Sequence, residues 1–367
     1  MLFHWYLFVF LFVLYAIARE GNQRYQVYVA GEYEGRYRWF TVLMIVAVLS
    51  YVAAMRSDRI GDTTAYLRTY INAQPTWNAV VNAINGTGKD KGFSILVPIL
   101  KMLIGDRPRF FLGVIACFSI LCVFYTYRRH SCNLFITAFL FLASGEYVMW
   151  THNGMRQFIA VSMIFAATNL LLKKRYVLYT AVVLLASTFH ASALIMLPVI
   201  LVVQGRAWNI RAIAMLLVIF ALSASTELLN EFLLDVMENS QYSGDIDALM
   251  ATEGTNPFRV AVFAVPPLMA LVFRKQILAL DVPIINLSVN MSIVSMGVFV
   301  ISMFTSGIYI GRMPVYFSLY NYLLIPWIIE RFFEKHSAKL VYLIAVCCYM
   351  FYYYYQMHIV WNFSSIM

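Results

Sequence analysis

The chain has 367 residues, 62% of them hydrophobic and 12% charged, with a formal charge of +9 and a mean hydropathy of +0.73. An average soluble domain is about 25% charged and about 45–50% apolar, so this composition excludes a water-faced globule and describes a chain that threads a bilayer. The Lys and Arg residues sit in short clusters between apolar runs, the pattern that orients membrane proteins, which argues against nucleic acid as a partner.

In chain order, apolar runs occur at 2–17, 39–55, 110–127, 134–150, 158–172, 176–188, 189–204, 208–228, 258–273, 284–304, 313–330 and 339–356. They predict an all-α, polytopic integral membrane protein of about 12 transmembrane helices, organised as a single transmembrane domain over 1–367. Residues 1–17 could pass for a signal peptide, with Ala16-Ile17-Ala18 as a cleavage site. However, no basic n-region precedes the run, and Arg19, Arg24, Arg36 and Arg38 follow it. This order predicts an uncleaved first span with its N-terminus outside and the next loop in the cytoplasm.

The run 92–104 is short and holds Pro98 and Lys101, so it predicts a re-entrant or interfacial helix inside a long external loop, 56–109. Under this threading sixteen of the 27 Lys and Arg residues fall in short cytoplasmic loops. Reading 92–104 as a span would instead turn Arg128-Arg129 and Lys173–Arg175 outward, against the positive-inside rule. The stretch 176–204 reads either as one long helix or as two short ones broken at Phe189-His190-Ala191-Ser192. A second external segment, 229–257, is acidic, with Glu231, Asp235, Glu238, Asp245, Asp247 and Glu253. Neither an internal repeat nor the paired broken helices of an inverted-repeat transporter is evident.

Three external arginines open spans that run inward: Arg156 in Asn153-Gly154-Met155-Arg156-Gln157, Arg259 in Asn256-Pro257-Phe258-Arg259, and Arg312 in Gly311-Arg312-Met313-Pro314. A cation at the positive end of a helix dipole is disfavoured unless an anion joins it. Amide donors, a helix N-terminus and a guanidinium together suit a phosphate or pyrophosphate. The alternative is that each arginine anchors its helix at the headgroups or pairs with a carboxylate such as Glu146. Arg56-Ser57-Asp58-Arg59-Ile60-Gly61-Asp62 forms a compact polar turn, able to bind an anion through Arg56 and Arg59, with Asp58 or Asp62 accepting a proton; a solvated loop of weak ion pairs fits it as well. His190 interrupts an apolar run and has the side chain of a general base, or of a helix-packing histidine; His152 is a lesser candidate. There is no CxxC or Cys/His ligand spacing among the five cysteines and no GxSxG, HExxH, Walker A or dinucleotide glycine turn. Metal, ATP and nicotinamide chemistry therefore have no motif to rest on.

These segments resemble the EpsG-like Wzy polymerases of bacterial exopolysaccharide and O-antigen assembly. The resemblance lies in Arg56…Ile60-Gly61-Asp62-Thr63…Tyr66, Lys91-Gly92-Phe93 preceded by Asp90, Asn153-Gly154-Met155-Arg156-Gln157-Phe158-Ile159-Ala160, Ala186-Ser187-Thr188-Phe189-His190-Ala191-Ser192-Ala193 and Arg312…Tyr316. The third of these is the most specific, and the set runs in order over 56–316, all of it external in the charge-based threading. The resemblance implies a GT-C-like architecture and an inverting glycosyltransferase that uses neither metal nor other cofactor. It joins undecaprenyl-pyrophosphate-linked repeat units at the periplasmic face of a bacterial inner membrane. Membrane lipid, a chain-length regulator and a flippase of the same pathway are the partners it implies. In this reading Arg156 and Arg312 hold the pyrophosphate, with Arg56, Arg59 and Arg259 as secondary candidates and Asn153 and Gln157 beside them. His190 is the first choice of catalytic base and Asp62 the second. An O-antigen ligase and a lipid-linked oligosaccharide flippase or transporter are the alternatives. Helix centres nearly free of charge speak against transport.

Overall fold

The computed structural model describes residues 2–21, 24–29, 31–223 and 253–362. Of the acidic external segment 229–257, only 253–257 falls within them. Among the described residues, four helices are long and apolar enough to cross a membrane: Pro108–His130, Met155–Leu172, Pro283–Met303 and Lys335–Val360. Two bent pairs raise this to six, and four further apolar helices have 10–17 residues. The chain is thus a mainly helical, multi-pass membrane protein, and among the described residues four to six of the expected dozen spans meet the length and apolarity needed to cross. It divides into two compact units, 1–195 with 333–367, and 196–332.

The first unit opens with α1 (Leu2–Glu20). The segment that follows is not a plain loop. Residues Arg24–Val29 (β1) and Glu32–Tyr37 (β2) pair antiparallel, with Tyr28 opposite Tyr33. Helix α2 (Trp39–Ala54) then runs to Arg56. The long loop folds into α3 (Thr63–Asn72), α4 (Trp77–Asn85) and α5 (Lys91–Ile104) before α6 (Pro108–His130). The stretch read as a re-entrant or interfacial segment is therefore a helix, and it is not among the candidate spans.

The run 134–150 becomes α7 (Leu134–Ala143) and α8 (Glu146–His152), bent by 63°. Next come α9 (Met155–Ala166), α10 (Thr168–Leu172) and α11 (Tyr176–Phe189). Helix α11 stops at His190, whose backbone is extended (φ −159°, ψ 120°), and a 3-10 turn follows at Ala191–Ile195. The break at His190 is real. One core of the unit gathers Tyr66, Tyr70, Phe93, Val97, Phe111, Leu112, Met155 and Ile159 from α3, α5, α6 and α9, with Tyr70 stacked on Phe111 at 4.3 Å.

The second unit comprises α12 (Met196–Val203), α13 (Ile210–Ser223), α14 (Pro257–Val272), α15 (Arg274–Leu280), α16 (Pro283–Met303), α17 (Val315–Ser318) and α18 (Asn321–Phe332). Two buried asparagines tie its longest helix to the turn before α13. Asn286 and Asn290 of α16 accept from Ala207 and Trp208 N–H, and Asn290 donates to the carbonyls of Val203 and Arg206. The chain then returns to the first unit through α19 (Lys335–Tyr354), whose Tyr353 packs edge-on against Trp5 and Phe8.

Candidate functional site

Four of the five sequence segments singled out above converge at one end of the first unit. Arg156, the second residue of α9, forms an ion pair with Asp90 at 2.7 Å; its side chain is 44% exposed and that of Asp90 is 11% exposed. The Ala191 N–H donates to the same carboxylate, so Asp90 ties α9 to the turn that begins at His190. Arg156 also donates to the hydroxyl of buried Tyr66. The His190 Nδ1 lies 2.6 Å from the Ser192 hydroxyl, which fixes the ring over the 3-10 turn.

Two glycines let these segments meet. Gly61 has φ +53°, the left-handed region that favours glycine, and an added Cβ would lie 3.0 Å from the Cβ of Asn153. Gly92, in the first turn of α5, sits on Thr188 of α11, where an added Cβ would come within 2.4 Å of the hydroxyl oxygen. This close approach brings Asp90 to the end of α11. Asp90 itself caps α5 in the left-handed region, at φ 57° and ψ 48°. Burial raises its pKa, against the opposing pull of Arg156, the Ala191 N–H and Lys89.

Several expected roles change. Arg56 is 4% exposed, and its guanidinium is bonded within the protein: Nε donates to Thr63 Oγ1 (2.9 Å), one terminal nitrogen to the carbonyls of Ala53 (3.0 Å) and Thr151 (2.8 Å), and the other to Met155 Sδ (2.8 Å). Burial lowers its pKa to about 10, so it remains charged at neutral pH. It clamps α2 to α3, α8 and α9, and an anion has no route to it. Gln157 is 3% exposed and faces the interior, not a ligand. Arg59 and Asp62 are exposed on the same turn, and Asn153, half-buried, accepts from Tyr66 through its carbonyl at 3.4 Å. His152 is buried, with Nδ1 2.7 Å from the Thr151 hydroxyl. Glu146 is buried and accepts from Trp150 Nε1.

Arg259 and Arg312 belong to the second unit. Asn256 caps α14 by accepting from Phe258 N–H at 2.8 Å, and the Arg259 guanidinium lies over Phe299 at 5.1 Å and Phe263 at 5.8 Å. Arg312 does not open a long helix. It ends a 3-10 turn, Ile310–Arg312, and the run 313–330 is divided between α17 and α18. Gly311 packs on Thr255, whose N–H donates to Ser302, so the segment leading into α14 and the Arg312 turn lie together.

Asp90 and Tyr66 are the residues that motif reading undervalued. Both lie within the family-like segments, yet only the fold shows that each addresses Arg156. Among the described residues no group of His, Cys, Asp and Glu could hold a metal ion. The model of the EpsG family matches residues 38–365. No curated protein and no solved structure matches the chain.

Proposed function

On the premise that this chain belongs to the EpsG family, we propose that it is a Wzy-type polysaccharide polymerase. Such an enzyme is an inverting glycosyltransferase that joins undecaprenyl-pyrophosphate-linked repeat units on the outer face of a bacterial inner membrane. The observation that supports this most directly is the half-exposed Arg156 held by Asp90, whose carboxylate also accepts from the N–H of Ala191, the residue after His190.

In the reaction, the acceptor hydroxyl oxygen attacks the donor's anomeric carbon as the bond from that carbon to the pyrophosphate oxygen breaks. Negative charge accumulates on the leaving pyrophosphate, and Arg156 stabilises it there. The hydroxyl proton passes to a base, with His190 as first choice and exposed Asp62 as second. Asp90 occupies the anion position on Arg156 until a phosphate competes for it. Arg59, exposed on the neighbouring turn, is a further pyrophosphate ligand in this proposal.

The purified protein, given a lipid-linked repeat unit, is expected to yield a glycan ladder. Arg156→Ala and His190→Ala variants made at normal levels are expected to yield single units only. Long-chain polymer from either variant would remove that residue from the mechanism, and a wild-type protein that never makes a ladder would remove the proposal.

A further inference from the structure

An apolar trough runs along the outer halves of α2 and α6. Its volume is about 680 Å³, within the ~300–1,000 Å³ of sites that hold organic ligands. Small residues form its floor: Ser50 and Ala54 on α2, Gly113 and Cys117 on α6. The helices touch where an added Gly113 Cβ would lie 3.2 Å from that of Ala54. Tyr51, Met55, Phe110 and Val114 make the apolar walls, and Arg107 and Arg109 stand at the outer end.

The two arginines differ. Arg109 is bound to the Asp58 carboxylate at 2.6 Å and to the Arg56 carbonyl at 2.5 Å. Arg107 is exposed and has no ion-pair partner among the described residues. This end of the trough is linked to the site through buried Arg56. Arg109 holds Arg56, which in turn holds Thr151 and Met155, the residue before Arg156.

An apolar channel ending at an unpaired arginine is complementary to a long hydrocarbon chain that ends in a phosphate. We infer that this trough seats the isoprenoid chain of a polyprenyl-phosphate lipid, with Arg107 on its phosphate. Use of an isoprenoid carrier rests on the proposed function; the place and its chemistry rest on the trough.

The test uses the full-length protein in phosphatidylcholine nanodiscs and geranylgeranyl phosphate carrying a terminal diazirine. After illumination, labels are expected on Tyr51, Met55, Phe110 and Val114. Unlabelled geranylgeranyl phosphate should compete, and geranylgeraniol, which lacks the phosphate, should not. Cys117→Trp fills the trough from an exposed position, and Arg107→Gln removes an exposed cation. Each is expected to lower labelling about tenfold. Labelling spread evenly onto the mostly exposed 335–360 helix would mean ordinary lipid contact and would overturn the inference. So would equal competition by geranylgeraniol, or unchanged labelling in both variants. The readout needs no turnover: expected labelling without a glycan ladder leaves the site and removes the function, and a ladder with even labelling does the reverse.

Discussion

At Asp90 the chain accepts two costs for one connection. The left-handed backbone is disfavoured for a residue with a Cβ, by roughly 1 kcal/mol and less for Asp or Asn. The half-buried carboxylate is also desolvated enough for its pKa to rise despite Arg156. A carboxyl whose pKa is raised by folding contributes most stability when protonated, and that contribution is lost as pH rises through the raised value. Asp90→Asn keeps the tolerated backbone and removes the charge. We expect the variant's unfolding temperature in detergent, relative to wild type, to be most favourable at neutral pH, with the difference closing as pH falls towards the ordinary carboxylate range. Activity should fall at least about tenfold, because Arg156 and the Ala191 turn lose their shared partner. A variant that is least favourable relative to wild type at pH 7 and recovers on acidification would show that the ion pair, not burial, governs this carboxyl. Arg56 illustrates the limit of reading single residues: a cation in a polar turn looks the same in sequence whether it faces water or is clamped by two carbonyls, a hydroxyl and a sulfur.

At the scale of elements, helix formation was legible and helix interruption less so. The break at His190 had a signal, because a histidine in an apolar run followed by Ala-Ser is poor material for a continuous membrane helix. The 63° bend after Ala143 lay inside a run that hydropathy alone treats as uniform. The hairpin at 24–37 has a signal too: half-buried Tyr25, Val27 and Val29 alternate with exposed Arg24, Gln26 and Tyr28, a period of two that the intervening tyrosine blurs in sequence. What no periodicity could show is which helix ends touch. The contact of Gly92 with Thr188 is one such pairing, and the position of Asp90 depends on it. Gly92→Ala places a methyl within 2.4 Å of the Thr188 hydroxyl and 3.0 Å of its carbonyl carbon, so α5 and α11 must part. The expected cost is about 1–3 kcal/mol in stability, with a loss of glycan ladder similar to that of Asp90→Asn. Adding Thr188→Ala should restore part of both, measured as a double-mutant cycle. Strict additivity of the two changes would mean that the helices do not meet there.

For the whole molecule, charge counting gave a direction that side-chain contacts can check end by end. The threading put 18–38 and 128–133 on one face, and 56–109 and 151–157 on the other. In the first unit, Arg128 at the end of α6 donates to the Tyr37 carbonyl and lies 4.6 Å over Trp39, so the hairpin and the α6 terminus share one end. At the opposite ends of α2 and α6, Arg56 and Arg109 join Asp58, Thr63, Thr151 and Met155. Both groupings are those that alternating faces require, although charge placed them with no knowledge of packing. The division into two units was not legible, because the return of α19 to α1 is a pairing across more than 300 residues and leaves no local trace. Which face is outside rests on the positive-inside rule, and it is open to direct measurement. With the five native cysteines replaced by alanine, Asn78→Cys, exposed on α4, should react with a membrane-impermeant maleimide on intact cells. Lys173→Cys, exposed beyond α10, should react only after permeabilisation. The reverse pattern would turn the Arg156 site towards the cytoplasm, where a polymerase fed by outward-flipped repeat units has no substrate. Labelling of both in intact cells would break the alternation itself, and with it the reading of 92–104 as a helix that does not cross.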